Sequence, residues 1–291
     1  MVWLVFLFLL ASLPVEAEEL KVYFLDVGEG EAVYFETPHG QRLLLDTGNL
    51  ITGYRVACFL AGRGVKGLSR LIVSHAHPDH AGGIFLLLRV LRVDRLHDNG
   101  GPLPDGPFYR WYAALLRHDP RYGPLEAPQE FVLDGVRFRV LWPRAERRGD
   151  LNADSLVLKV SWRDVSFLFM ADAHQETERA LLSAGEDLRA QVLQVGHHGA
   201  RDATSRAFLQ AVSPRWAVIP VGRDDPYGRP HPEVLRRLRS QGVRVLRTSS
   251  GTILFRTDGR RLKMRVFGAD SAAPPASVPL RCGRSSGSRR P

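Results

Sequence analysis

Short apolar runs broken by turn residues divide the chain, and their spacing predicts which elements they form. Leu20–Val27, Ala32–Thr37 and Arg42–Asp46 read as strands separated by turns containing Gly or Pro. A helical stretch around Tyr54–Gly62 follows, then the strand Arg70–Ser74. Glu130–Leu133 and Val136–Trp142 flank Asp134-Gly135, a two-residue hairpin signal, and Leu156–Trp162 and Val165–Met170 flank Arg163-Asp164 in the same way. Helix Gln175–Ser183, strand Gln191–Val195, helix Thr204–Val212, strand Trp216–Val221 and helix Pro232–Gln241 then alternate. A last hairpin, Thr252–Thr257 with Arg260–Val266, turns on Asp258-Gly259. Strand pairs with helices between and after them imply an α/β fold of two mixed sheets packed face to face with helices outside, a four-layer αββα sandwich. No internal repeat is strong enough to use.

The ends break this pattern. Residues 1–17 are an apolar run, then Pro14 and a small-x-small pattern ending at Ala17, which reads as a signal peptide. That predicts a secreted or periplasmic protein with no stable membrane insertion after cleavage; an uncleaved N-terminal anchor is the alternative. Residues 268–291 are rich in Ser, Pro, Gly, Ala and Arg and offer almost nothing to bury, so they read as a disordered basic tail. Residues 18–267 between them form the expected folded domain, with a hydrophobic content of 44% over the whole chain that suffices for a real core. Cys58 and Cys282 are too few for a disulfide framework and lack metal-ligand spacing, although a bond between them is open in an oxidising compartment.

Charge narrows the class of partner. The chain carries +9, of which the central segment keeps +7, and all but four of its 40 cationic side chains are arginine. Arginine-rich usage has a compositional explanation; its functional one is a basic face that attracts an anionic substrate, such as DNA or another phosphodiester.

Chemistry concentrates in Ser74-His75-Ala76-His77-Pro78-Asp79-His80-Ala81-Gly82-Gly83, directly after the apolar strand Leu71-Ile72-Val73. In an extended loop His75 and His77 point the same way and can grip one cation. Asp79 and His80, turning into the next helix, can face a second, and Gly82-Gly83 let the helix start approach closely.

This H-x-H-x-D-H loop resembles the hallmark of the metallo-β-lactamase superfamily. Under that resemblance Asp46-Thr47-Gly48 is the early Asp motif that supports the loop from behind, and Asp172, after Ala171 rather than the more frequent Gly, is the Asp that bridges two cations. A narrower match runs from Val22 to about Val266. Leu25-Asp26-Val27-Gly28-Glu29-Gly30-Glu31-Ala32, Asn152-Ala153-Asp154-Ser155, Val195-Gly196-His197-His198-Gly199 and Tyr227-Gly228-Arg229-Pro230-His231-Pro232 look like the soluble hydrolase domain of ComEC-type competence proteins and their free-standing secreted relatives. The same branch is similar to phosphorylcholine esterases. Glu29 stands where that motif has Gln, and Ala200 where it has Ser.

The resemblance implies one site of His75, His77 and Asp172, since Asn152 and Asp154 occupy the region where many members supply a further histidine. It implies a second site of Asp79, His80, Asp172 and one of His197 and His198. Spacing and resemblance favour His198 as ligand, leaving His197 to face substrate as an acid or hydrogen-bond donor. His231 either contacts substrate or simply starts a helix, and Asp26 either lines the site or ends its strand. Arg236, Arg237 and Arg239 read as the solvated face of one helix, with phosphate binding as the alternative.

Oxygen and imidazole donors without thiolate suit zinc first and manganese also. The implied activity is a secreted binuclear phosphodiesterase or nuclease in which a metal-bridging hydroxide attacks and Asp79 orients it and accepts its proton. The alternatives are hydrolysis of an amide, lactone or thioester, and a metal-stabilised DNA-binding module without chemistry.

Overall fold

The computed structural model describes residues 18–145 and 147–268. The expected signal peptide, the tail from 269 onward and Cys282 of the Cys58–Cys282 pair lie outside them.

Strands β1 (Leu20–Phe24), β2 (Val33–Glu36) and β3 (Arg42–Leu45) form an antiparallel meander. Helix α1 (Gly53–Gly62) and the short strand β4 (Gly67–Leu68) lead to β5 (Arg70–Ile72), parallel to β3. The histidine loop runs into α2 (Pro78–Ala81) and α3 (Ile84–Val90). Strand β6 (Arg92–Val93) pairs with β4, β7 (Leu96–His97) pairs parallel with β5, and α4 (Pro107–Leu116) closes this half.

Strands β8 (Glu130–Leu133), β9 (Val136–Trp142), β10 (Val157–Trp162) and β11 (Val165–Phe169) form a second meander. Helix α5 (Gln175–Ser183), β12 (Val192–Gln194), α6 (Arg206–Val212), β13 (Trp216–Ile219), α7 (Pro232–Ser240) and β14 (Arg244–Arg247) extend that sheet in parallel. Strands β15 (Thr252–Thr257) and β16 (Leu262–Phe267) return to pair beside β1. The two seven-stranded sheets run β16-β15-β1-β2-β3-β5-β7 and β14-β13-β12-β11-β10-β9-β8.

Period-two alternation builds the layers. On β1, Leu20, Val22 and Phe24 enter the core between the sheets, where Phe24 stacks on Phe169 at 5.7 Å and Phe35 meets Phe138 edge-on at 5.6 Å. Tyr23 points the other way, into a second core with Tyr34 and Phe59 under α1, α3 and α4. Leu168, Leu193, Ala217 and Ile219 pack outward against Leu181, Leu209 and Leu238 of α5, α6 and α7. Three apolar layers between two sheets and two helix sets are the four-layer αββα sandwich that the pattern predicts.

Some details differ from the sequence reading. The last hairpin is wider, with β16 starting at Leu262, because Asp258 Oδ1 accepts from Arg260 N and Arg261 N at 2.9 and 2.7 Å and holds a longer loop. The helix expected after the histidine loop comes as two, α2 and α3, and helix α4 and strands β4, β6, β7 and β14 are not foreseen. The Phe, Tyr and Trp residues of α4 are middling helix formers, and burial of Tyr112 and Leu116 supports the helix instead. No helix among the described residues is long and apolar enough to cross a membrane.

The carboxyl ends of β1, β3 and β5 in one sheet and of β11 and β12 in the other lead into a shared edge, where the ligand-bearing loops meet. Loops at strand carboxyl ends are the usual place for a site in a sheet of this kind.

Candidate metal centre

Asp46 fixes the histidine loop from below. Its carboxylate accepts from Ser74 N at 2.7 Å, Ser74 Oγ at 2.8 Å and His80 Nδ1 at 2.8 Å, all fully buried. Pro78 sits in the first turn of α2, where its missing N–H costs nothing. Two glycines permit the close packing. A Cβ on Gly30, whose φ is +99°, would collide with the Asp79 carbonyl, and one on Gly83 would collide with the Thr47 carbonyl.

Two groups of donors surround Asp172. Its Oδ2 lies 3.8 Å from His75 Nε2, which is 2.9 Å from His77 Nδ1. Its Oδ1 lies 3.2 Å from both His80 Nε2 and His198 Nε2, and Asp79 Oδ2 is 3.7 and 3.5 Å from the same nitrogens. Asp79, His80, Asp172 and His198 thus form one set and His75, His77 and Asp172 another. His80 Nδ1 donates to Asp46 and His198 Nδ1 donates to Pro220 O at 2.7 Å, so in the neutral rings both Nε2 atoms present lone pairs. Those lone pairs face each other at 3.3 Å among carboxylates.

A divalent cation fits this arrangement. Asp172 Oδ1 is buried and makes no hydrogen bond, although two imidazole nitrogens are close. Electrostatics says the same: burial opposes charge on His80 and His198, yet the Asp172 carboxylate and its neighbours push His80 well above its usual value and His198 to about 10. Burial would raise Asp172 and Asp79, but His198 and His80 hold both well below the carboxylate range. A site that demands protons so strongly offers the same charge to a cation.

His197 and His198 have left-handed backbone angles, φ +48° and +54°, a conformation that costs energy outside glycine. It splays the two rings. His198 is buried in the second set, whereas His197 is partly exposed, with Nε2 at 4.0 Å from Asp172 Oδ2 and 3.5 Å from Asn152 Nδ2. Burial lowers the His197 pKa, which leaves a neutral ring with one N–H to donate.

Asp79, Asp172, His77, His197, Asn152 and His231 line a cavity of about 900 Å³. His231 is also the N-cap of α7, accepting from Glu233 N at 3.3 Å, so it starts the helix while it lines the cavity. Asp26 and Asp154 do not line this cavity. Asp26 accepts from Gly28 N at 3.2 Å, and Asp154 accepts from Arg148 N and Gly149 N and closes the loop before β10. Arg237 donates to Arg201 O, while Arg236 and Arg239 do not line the cavity.

Sequence reasoning gave no role to Glu31. It is 1% exposed beside Asp46 and His80, both its carboxylate oxygens lack a hydrogen bond, and burial together with Asp46 pushes it up to about 8. The only signal was its place in the segment Asp26–Ala32.

The profile of the Metallo-beta-lactamase superfamily matches residues 25–223. ComE operon protein 3 of Bacillus subtilis (strain 168) is 30% identical over 272 residues, covering 87% of this chain and 35% of that protein. Competence protein ComA of Neisseria gonorrhoeae is 33% identical over 247 residues, covering 83% and 33%. The chain spans about a third of the length of these relatives. Among solved structures, the metallo-beta-lactamase fold protein YhfI from Bacillus subtilis aligns with a TM-score of 0.50 at 12% identity, covering 78% of this chain and 96% of that one. CmlA, a diiron beta-hydroxylase from Streptomyces venezuelae, aligns at 0.51 and 12%, covering 86% and 54%. At such identities the likeness shows the fold alone, and the profile match over most of the chain decides the family: this chain belongs to the metallo-beta-lactamase superfamily.

Proposed function

We propose that the chain is a metal-dependent phosphodiesterase, in its most concrete form a nuclease, that works outside the cytoplasm. The observation that carries the hydrolytic part is Asp172, whose two oxygens face two sets of ligands at the floor of an open cavity. His75, His77 and Asp172 would hold one divalent cation, and Asp79, His80, Asp172 and His198 a second, zinc or manganese by donor type. When bound, such cations activate a water and polarise the oxygens of the scissile group.

The chain's own residues supply the rest. Asp46 and Pro220 O fix the tautomers of His80 and His198, so the ligands are oriented before substrate arrives. Asp79, which lines the cavity, orients the attacking water and takes its proton. His197, whose Nε2 is the ring nitrogen nearer Asp172 in the cavity, donates a hydrogen bond from it to the developing negative charge. The phosphodiester as substrate is supported by the identity to two competence proteins and by the net charge of +9. Export is supported by the apolar N-terminal run. The fold alone is a poor guide to substrate, since a hydroxylase shares it.

The test is metal content of the purified protein by mass spectrometry, paired with cleavage of bis-p-nitrophenyl phosphate and single-stranded DNA. About two metals per chain, with cleavage abolished by chelation, is the expected result. Two metals without phosphodiester cleavage, but with turnover of an amide or lactone panel, would overturn it.

A further inference from the structure

The rim of the cavity carries large apolar side chains that the metal ligands do not explain. Leu50, Ile51 and Tyr227 are 62%, 80% and 73% exposed, and all three line the cavity whose floor is Asp79 and Asp172. Single exposed apolar residues are ordinary, but three converging on one cavity are the mark of a binding surface.

Both sides of this rim are built rather than loose. Asn49 Oδ1 accepts from Ile51 N and Thr52 N at 2.8 and 2.6 Å, which pins the turn that presents Leu50 and Ile51 ahead of α1. Across the cavity Asp225 organises the loop of Tyr227. Its Oδ1 accepts from Tyr227 N and Arg229 N at 3.0 and 2.8 Å, and its Oδ2 accepts from Arg229 Nε and Nη2 at 3.0 and 2.8 Å. The Arg229 guanidinium so held lies 4.6 Å from the centre of the Tyr227 ring. With its charge met by Asp225, Arg229 acts as a flat backing for the ring rather than as a free clamp for phosphate.

We infer that Tyr227, backed by Arg229 and sharing its cavity with Leu50 and Ile51, is a nucleobase-stacking subsite, which makes an unpaired nucleotide of a single-stranded nucleic acid the substrate class. This inference rests on the phosphodiesterase reading of the metal centre. A floor suited to a phosphoryl group beside a rigid aromatic rim repeats the alternation of phosphate and base along a nucleic-acid strand. In a duplex both faces of a base are already stacked, so only a splayed or single-stranded base can use the ring. Every base has a π-face, so the subsite does not discriminate by sequence.

The test measures binding to the manganese-loaded full chain by fluorescence polarisation. The probes are a labelled single-stranded phosphorothioate oligonucleotide and a matched strand in which the bases are replaced by abasic sites. Tyr227→Ala should weaken binding of the base-bearing strand roughly 5- to 100-fold and leave the abasic strand unchanged, whereas Tyr227→Phe should keep wild-type affinity. Tyr227 is exposed, so an unchanged melting temperature will confirm that both variants fold. Equal wild-type affinity for the two strands, or equal loss on both in Tyr227→Ala, overturns the subsite. Cleavage of ordinary phosphodiester strands judges the other reading separately. Base-dependent binding through Tyr227 without cleavage keeps the subsite and sinks the phosphodiesterase. Cleavage of base-bearing and abasic strands alike, with no effect of Tyr227→Ala, does the reverse.

Discussion

Asp46 and His80, 34 residues apart in the chain, meet at 2.8 Å with no solvent access, the imidazole Nδ1 donating to the carboxylate. That hydrogen bond turns Nε2 towards Asp172, so Asp46 orients a donor of the candidate metal centre. Asp46→Asn keeps the shape of the side chain but removes the negative charge. It should lower metal affinity roughly 10- to 100-fold, measured by competition with a chromophoric chelator.

Asp172 serves both ligand sets, so its loss should be felt twice. Asp172→Ala should drop metal content from about two per chain towards zero and abolish hydrolysis with it. A variant that still holds two metals after dialysis would show that the sets are independent.

The splayed pair His197 and His198 separates two roles. His198→Ala should lose metal from the Asp79–His80 set, and activity along with it. His197→Ala should retain both metals and an unchanged melting temperature while hydrolysis falls roughly 10²- to 10³-fold, the usual effect of deleting one hydrogen-bond donor to developing charge. Metal analysis and rate on the same two preparations decide it.

Buried carboxylates and imidazoles at the junction of both sheets mean that metal binding stabilises the fold. At a free metal concentration a thousand times Kd, the linkage is about 4 kcal/mol. For a domain of this size chelation should therefore lower Tm by roughly 8–16 °C, read by circular dichroism, and added metal should restore it.

Gly30 is the tightest contact between the first strand's loop and the metal loop. Gly30→Ala meets a positive φ of +99° and the Asp79 carbonyl together. It should displace Asp79 and lower the metal occupancy of its set and Tm together, read by metal analysis and circular dichroism, whereas Gly40→Ala, with nothing near its Cβ, should keep full occupancy and carry only the strain of its positive φ.

Much of this protein could be read from residue order alone. Asp134-Gly135 predicts a hairpin because Asp and Gly tolerate the left-handed angles a two-residue turn requires, and both adopt them, at φ +48° and +78°. The spacing of His75, His77, Asp79 and His80 places four donors on one loop because period two and one helical turn are local geometry. These signals need no long-range information.

Other features depend on the company a residue keeps. Glu31 is an ordinary glutamate in the sequence, and only the fold, which joins its backbone to Asp79 O and Gly48 N, buries it, and burial with Asp46 nearby raises its pKa. Helix α4 is supported by burial of Tyr112 and Leu116 rather than by propensity. Asp154 resembles a site residue by position, yet folding spends its carboxylate on the backbone of Arg148 and Gly149. The sequence alone determined which donors exist and which neighbours share a loop, because covalent spacing governs both. Which of His197 and His198 turns inward, and that Tyr227 shares a cavity with Asp172 from 55 residues away, was decided by the tertiary structure. Backbone angles and side-chain directions at strand ends are set by the packing of two sheets, which no local pattern records.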